Sequence, residues 1–306
     1  MAINFTEIGE RLRDYRLGAD LSPDDVAQRL GISRAALYKY EKGDVIKLET
    51  IEKLAQLLNV SLPSLLGVGV EYFDNPVAYY ERKRQLEEKA EQVIVYFEPL
   101  SFVLTSPDYV THLRTMLVET VPANSTGRAA AIELIDRVMT ILEERHAQSW
   151  HRRKNIVSLV SATQVQRVLR SGLVGTYDLP PREFEERRKL ARAEVERMAA
   201  LMDSEPIGVQ IGVVEDTMPN QTFQIFRERE KTSVAVSPFR LGEFPNIRVG
   251  VASITAAPDA VLLYEKLAAA LWARSYKGGR GAAFLRRLVA DSWPEGGRVT
   301  VRLSKK

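Results

Sequence analysis

The sequence predicts two unlike parts. A mainly α N-terminal region of five short helices comes first; a helical segment and then an α+β region with an antiparallel sheet come after it. Three observations carry this reading. Apolar residues recur at three- and four-residue spacing in five short segments between residues 5 and 66. Helical spacing returns from 107 to 203. At 207–213 the period drops to two, with Ile207, Val209, Ile211 and Val213 alternating with Gly208, Gln210 and Gly212.

The first helix, near 5–17, carries Phe5, Ile8, Leu12 and Tyr15 on one face, and Gly18 closes it. The next stretch, SPDDVAQRLGISRAALYKYEKG from Ser22 to Gly43, organises the region. Ser22 caps a helix, Pro23 suits its first position, and Asp24 and Asp25 set negative charge at the positive end of the dipole. Val26, Ala27 and Leu30 form its apolar face, and Gly31 ends it in a backbone conformation cheap only for glycine. Ser33 caps a third helix running to Lys42. Leu37 and Tyr40 point inward from it, whereas Arg34, Ala35, Tyr38, Lys39 and Lys42 lie outward. Leu48, Ile51, Leu54, Ala55 and Leu58 define a fourth helix, and Ser61 caps a fifth that ends at Gly67. Two short helices, a glycine turn and a cationic outer face describe a helix-turn-helix whose second helix fits a major groove.

These residues resemble the Cro/CI (XRE-type) repressor domain, over roughly 5–67. Ala27, Gly31, Ile32 and Leu37 occupy its small, turn and core positions, Arg16 and Glu41 match its buried ion pair, and NVSLPSLLG matches its close. The resemblance implies a sequence-specific, double-stranded DNA-binding transcriptional regulator, a repressor type acting as a homodimer on an inverted repeat with half-sites about one helical turn apart. It places base reading on Arg34, Ala35 and Lys39, and phosphate and sugar contacts on Gln28, Ser33, Tyr38 and Lys42. The family often carries Gln where Pro23 stands, so Gln28 or Lys42 takes more of the backbone binding here.

Residues 68–76 read as a linker, and 77–203 as a helical linker and dimerisation region. Within it Tyr79, Leu86, Ala90, Val93 and Phe97 mark one helix, either packed on the second domain or forming a dimer, and Pro99 ends it. Further helices are expected over 107–121 and 132–146. A central helix is expected at 156–170, and another begins at Pro180-Pro181 with a solvated Glu/Arg outer face. Residues 204–306 form the α+β sensor or effector region, and 77–306 can equally be one domain. Its strands are expected near 207–213, 222–227, 233–236, 247–253 and 298–303, with helices from 259 to 276 and near 281–290.

Composition sets limits. Of 306 residues, 45% are apolar and 27% charged, proportions of an ordinary globular chain. The net charge of +3 says little about nucleic acid, because residues 1–67 hold nine basic and ten acidic side chains. The DNA reading rests on where the cations sit, not on their number. With no cysteine, disulfides, thiolate metal sites and cysteine nucleophiles are excluded. Absence of a membrane-length apolar run and of a signal-peptide pattern leads to a cytoplasmic expectation.

Outside the motif, His112, His146 and His151 show no metal-ligand spacing, and the WHRRK run at 150–154 reads as a surface patch. KGGRG at 277–281 reads as a tight turn between two helices, since it lacks the GK[ST] ending of a phosphate loop. Neither a catalytic constellation nor a cofactor motif is present, so the chain is expected not to be an enzyme. The candidate ligand mouth is the loop 238–245, where Phe239, Arg240 and Phe244 offer two aromatics and a cation to a small-molecule effector. Two other function classes remain open: a DNA-tethered or autoregulated enzyme using the glycine turn, and an antitoxin-like interaction protein.

Overall fold

The computed structural model of the protein describes residues 4–96, 102–151 and 155–292. Five helices open the chain: α1 (Phe5–Gly18), α2 (Pro23–Leu30), α3 (Arg34–Glu41), α4 (Leu48–Leu57) and α5 (Leu62–Leu66). Their apolar faces meet around Ile8, Leu12, Val26, Leu37, Ile51 and Leu54, all buried. Side-chain caps set the starts of four of them, at Asn4, Ser22, Ser33 and Ser61.

The rest of the described chain is built on one eight-stranded sheet. Its strands are β1 (Val70–Phe73), β2 (Gln92–Tyr96), β3 (Asn155–Ser161), β4 (Val209–Val214), β5 (Thr222–Arg227), β6 (Thr232–Ser237), β7 (Ala252–Thr255) and β8 (Tyr276–Lys277). Across the sheet they run β1-β7-β6-β5-β2-β3-β4-β8. The sheet is mainly antiparallel, with a parallel centre where β2 pairs β3 and β3 pairs β4. Alternation divides its faces: Val93, Val95, Ile156, Ile211 and Phe226 point one way, and Ile94, Tyr96, Leu159, Phe223 and Ile225 the other.

The first face is covered by α6 (Pro76–Lys89), α7 (Pro107–Glu119), α8 (Arg128–His151), α9 (Ala162–Ser171), α10 (Pro181–Ser204) and α12 (Gly278–Ser292), and its core runs on into the five-helix head. On the opposite face lies α11 (Pro258–Ala273), across β4, β5 and β6.

Several expectations need correction. The segment 68–76 contributes β1, paired with β7 from the far end of the chain. The helix expected to carry Tyr79 through Phe97 stops at Lys89, and Val93 belongs to β2; Phe97 lies outside the described residues. Ten of the fourteen residues of α6 are buried, so it is interior packing and offers no free dimer face. The central helix expected at 156–170 is β3 followed by α9. A parallel strand covered on both faces reads as an unbroken apolar run, which periodicity alone cannot tell from a buried helix. The expected strand 247–253 is mostly loop, with Val249 and Val251 exposed and β7 starting at Ala252. The glycine run 278–281, expected as a turn between two helices, is the first turn of α12, directly after β8. The expected strand at 298–303 lies outside the described residues.

Candidate nucleic-acid interface

Local chemistry fixes the two helices of the motif before they pack. Ser22 Oγ accepts from the Asp25 amide at 3.1 Å while Asp25 Oδ2 accepts from the Ser22 amide at 2.8 Å, a reciprocal capping box at the start of α2. Gly31 then takes φ 67°, ψ 31°, which lets the chain turn sharply into α3. Ser33 Oγ accepts from the Ala36 amide at 3.1 Å and caps α3.

The back of α3 is anchored in two ways. Leu37 is wholly buried, and truncating such a leucine to alanine costs about 2–5 kcal/mol. Arg16 Nε donates to Glu41 Oε1 at 2.6 Å and Arg16 Nη2 to Oε2 at 3.2 Å, so the pair expected from sequence ties α1 to the end of α3. A Cβ on Gly9 would lie 2.4 Å from the Tyr40 carbonyl oxygen, so only glycine lets α1 approach α3 this closely.

What remains outside is the face expected from sequence. Ser33, Arg34, Ala35, Tyr38, Lys39 and Lys42 on α3 and its cap are exposed together, and Gln28 of α2 is exposed as well. With Glu41 turned inward, the outer face of α3 carries three cations. One acid opposes them: Arg34 Nη1 lies 3.1 Å from Asp24 Oδ2 on α2. Arg34 also donates to Tyr38 Oη at 3.3 Å, with its guanidinium 5.5 Å from the centre of that ring. The first half of α3, which would face base edges in a major groove, thus presents a guanidinium held between a carboxylate and a phenol ring.

The head is clasped to the sheet by charges that sequence reasoning missed. Arg82 on α6 donates to Glu71 on β1 at 3.1 Å, and Arg11 on α1 approaches the same carboxylate at 3.0 Å, all three side chains being buried. Gln85 Nε2 donates to Asp14 Oδ1 at 2.6 Å, and Asn75 Nδ2 to the Gly18 carbonyl at 2.7 Å. Burial pushes the Asp14 carboxyl well above its ordinary pKa, against the pull of Arg82. Lys89 meets Glu10, and Lys231, from the β5–β6 turn, meets Glu7, each at 2.7 Å. The five-helix head therefore buries one side of α1 on α6 and β1. The charged run ERKRQ at 81–85 carries no sign of burial in its own pattern; its partners on α1 and β1 make it interior.

The ligand-mouth trio does not converge. Phe239 is fully buried, its ring 5.5 Å from Tyr79 and 6.2 Å from Tyr80, so it belongs to the core beneath α6. Arg240 and Asn246 exchange backbone hydrogen bonds at 2.8 and 2.9 Å that close the loop. Phe244 packs on Tyr177 and lines a shallow cleft of about 460 Å³ with Glu119 and Arg248.

His112 Nε2 donates to the Leu173 carbonyl and His146 Nε2 to the Thr105 carbonyl, each at 3.0 Å, as structural groups; the side chain of His151 and the WHRRK patch lie outside the described residues. Among the described residues no group of His, Asp and Glu is arranged to hold a metal ion, and no helix is long and apolar enough to cross a membrane. Gly278 opens α12, and a Cβ there would lie 2.5 Å from Glu205 Oε1.

Comparison with known proteins agrees with the geometry of the head. Residues 12–65 match the helix-turn-helix family model. A 103-residue stretch, 33% of this chain, is 28% identical to a protein of Sulfolobus acidocaldarius named as an HTH-type transcriptional regulatory protein, and covers 32% of it. A 58-residue stretch, 19% of this chain, is 39% identical to the cryptic phage CTXphi transcriptional repressor RstR of Vibrio cholerae, and covers 52% of it. The chain thus spans about a third and about half the length of these two relatives. The N-terminal domain is a helix-turn-helix domain of the Cro/CI type.

Proposed function

We propose that the protein is a sequence-specific DNA-binding transcriptional regulator that acts as a homodimer on an inverted repeat. One observation carries this: α3 is anchored from behind by Leu37 and the Arg16–Glu41 pair while Arg34, Ala35, Tyr38, Lys39 and Lys42 stand exposed on its other side. Arg34, Ala35 and Lys39 read bases, and Gln28, Ser33, Tyr38 and Lys42 hold the phosphate backbone. The names of the two similar proteins support regulation as the outcome of binding.

The sheet domain regulates the head and catalyses nothing. Ligand sensing fits the clasp, since a compound bound against α6 would act on α1 through Glu71, Arg82 and Gln85. It shifts operator affinity only as far as it binds two head arrangements unequally. Of the sequence-derived ligand residues, Phe244 keeps a place in an open cleft.

Fluorescence anisotropy of the full chain on operator and random duplexes over a salt series tests the reading. Lys42→Ala should weaken both duplexes about equally and lower the salt slope by about one. Binding indifferent to salt would count against it, and turnover of any compound that stabilises the protein would replace regulation with catalysis.

A further inference from the structure

Helix α11 has no polar side. Asp259, Glu265 and Lys266 are its charged residues, and only Ala268 and Leu271 are buried. Val261, Tyr264, Leu267 and Trp272 lean on the sheet, half-buried. Leu262 and Leu263 are 51% and 65% exposed, and the outward stripe continues through Ala269, Ala270 and Ala273. A helix apolar on every side is ordinarily covered on every side, and nothing among the described residues covers this one.

We propose that this face is the homodimer interface, with α11 packed antiparallel on α11 of a second copy. The proposal rests on the dimeric reading above and gives it a surface. α6, the helix that sequence offered for the purpose, is interior.

Self-complementarity selects a second copy over an unrelated partner. An isologous pair brings residue i to residue j and j to i. Taken antiparallel about residue 266, Leu262 meets the partner's Ala270 and Leu263 meets the partner's Ala269, so large residues from one half of the helix fill the space left by small ones in the other. The same register sets Asp259 beside the partner's Ala273 and the partner's Arg274, a guanidinium that already holds Asp216 at 2.7 Å within its own chain and adds a cation near each end of the pair. Antiparallel helix dipoles add to this. Sixteen residues give a ridge about 24 Å long, flanked by half-buried Val157 and Val236 of the sheet. Lys266 falls at the two-fold axis, where its stem covers apolar surface and its ammonium reaches water beside its like-charged twin.

Sedimentation of the full-length chain over a concentration series provides the test, with thermal melting and binding to a single half-site duplex as controls. Leu262→Gln with Leu263→Gln should raise the dimer dissociation constant on the order of 100-fold, since four leucines return to water, and leave both controls unchanged. Lys266→Leu should lower it several-fold by removing the like charges at the axis. This gain cannot arise from misfolding. A dimer insensitive to both substitutions overturns the α11 assignment and leaves the dimeric reading standing. A wild-type monomer at micromolar concentration with undiminished operator affinity overturns both.

Discussion

Arg34 is already engaged before any DNA arrives. Asp24 and Tyr38 hold it, but both members of the Arg34–Asp24 pair are more than half exposed, so water and salt screen the bridge and it is weak. A guanine edge or a phosphate can outcompete it, yet the carboxylate still opposes the approach of any phosphate. Asp24→Asn should therefore tighten binding to specific and random duplexes alike by a few-fold at low salt, with the gain fading as salt rises. Anisotropy at two ionic strengths reads this, and unchanged affinity at low salt would show Asp24 to be remote from the DNA. Sequence shows Arg34 outward because helical spacing fixes direction. It does not show the bridge, since Asp24 reads equally well as a partner of the α2 dipole. Phe239 illustrates the opposite failure. An aromatic in a loop has the same local pattern whether it faces a ligand or the core, and Tyr79 and Tyr80, which decide the matter, lie some 160 residues earlier in the chain.

Among the elements, the five head helices are legible nearly to the residue because each carries its own stripe and four carry their own cap. α6 is not. Its charged run is satisfied by Asp14, Glu71 and Glu10, which lie on other elements, so its burial cannot be read from its own pattern. β3 reads as helix for the related reason that a strand covered on both faces loses its alternation. The clasp makes acid a direct probe of head docking. Burial pushes the Glu7 carboxyl up, but hydrogen bonding and charge from Lys231, with Arg11 behind it, outweigh this and hold it at about 2, below the ordinary 4.5. A carboxyl depressed in the folded state stabilises above its unfolded pKa and loses that contribution as protons bind. Folding stability should thus fall as pH drops from about 4.5 toward 2. Glu7→Gln should begin lower at pH 7 and fall less steeply over that window in denaturant titrations. Parallel curves for the two proteins would exclude Glu7 from the clasp.

At the scale of the molecule, the head and α11 lie on opposite sides of one sheet whose strands are drawn from residues 70 to 277. Such a sheet is beyond sequence, because strand order depends on pairings between distant segments; only the period-two stretches themselves are visible. Pairing through α11 places the two heads on the outer flanks. Duplexes carrying inverted half-sites at graded separations should show one sharp optimum, the mark of two heads held at a fixed distance, and equal binding at every separation would contradict a paired arrangement of heads.

The central claim is that the exposed face of α3 reads DNA sequence. Selection of bound sites from a randomised duplex pool, run with the full-length chain and with Arg34→Ala, tests it most directly. The wild type should enrich an inverted repeat, and Arg34→Ala should lose preference at one base pair in each half-site, about 1–3 kcal/mol of discrimination, while the rest of the motif persists. A pool that enriches no sequence, or a motif unchanged by Arg34→Ala, would contradict it.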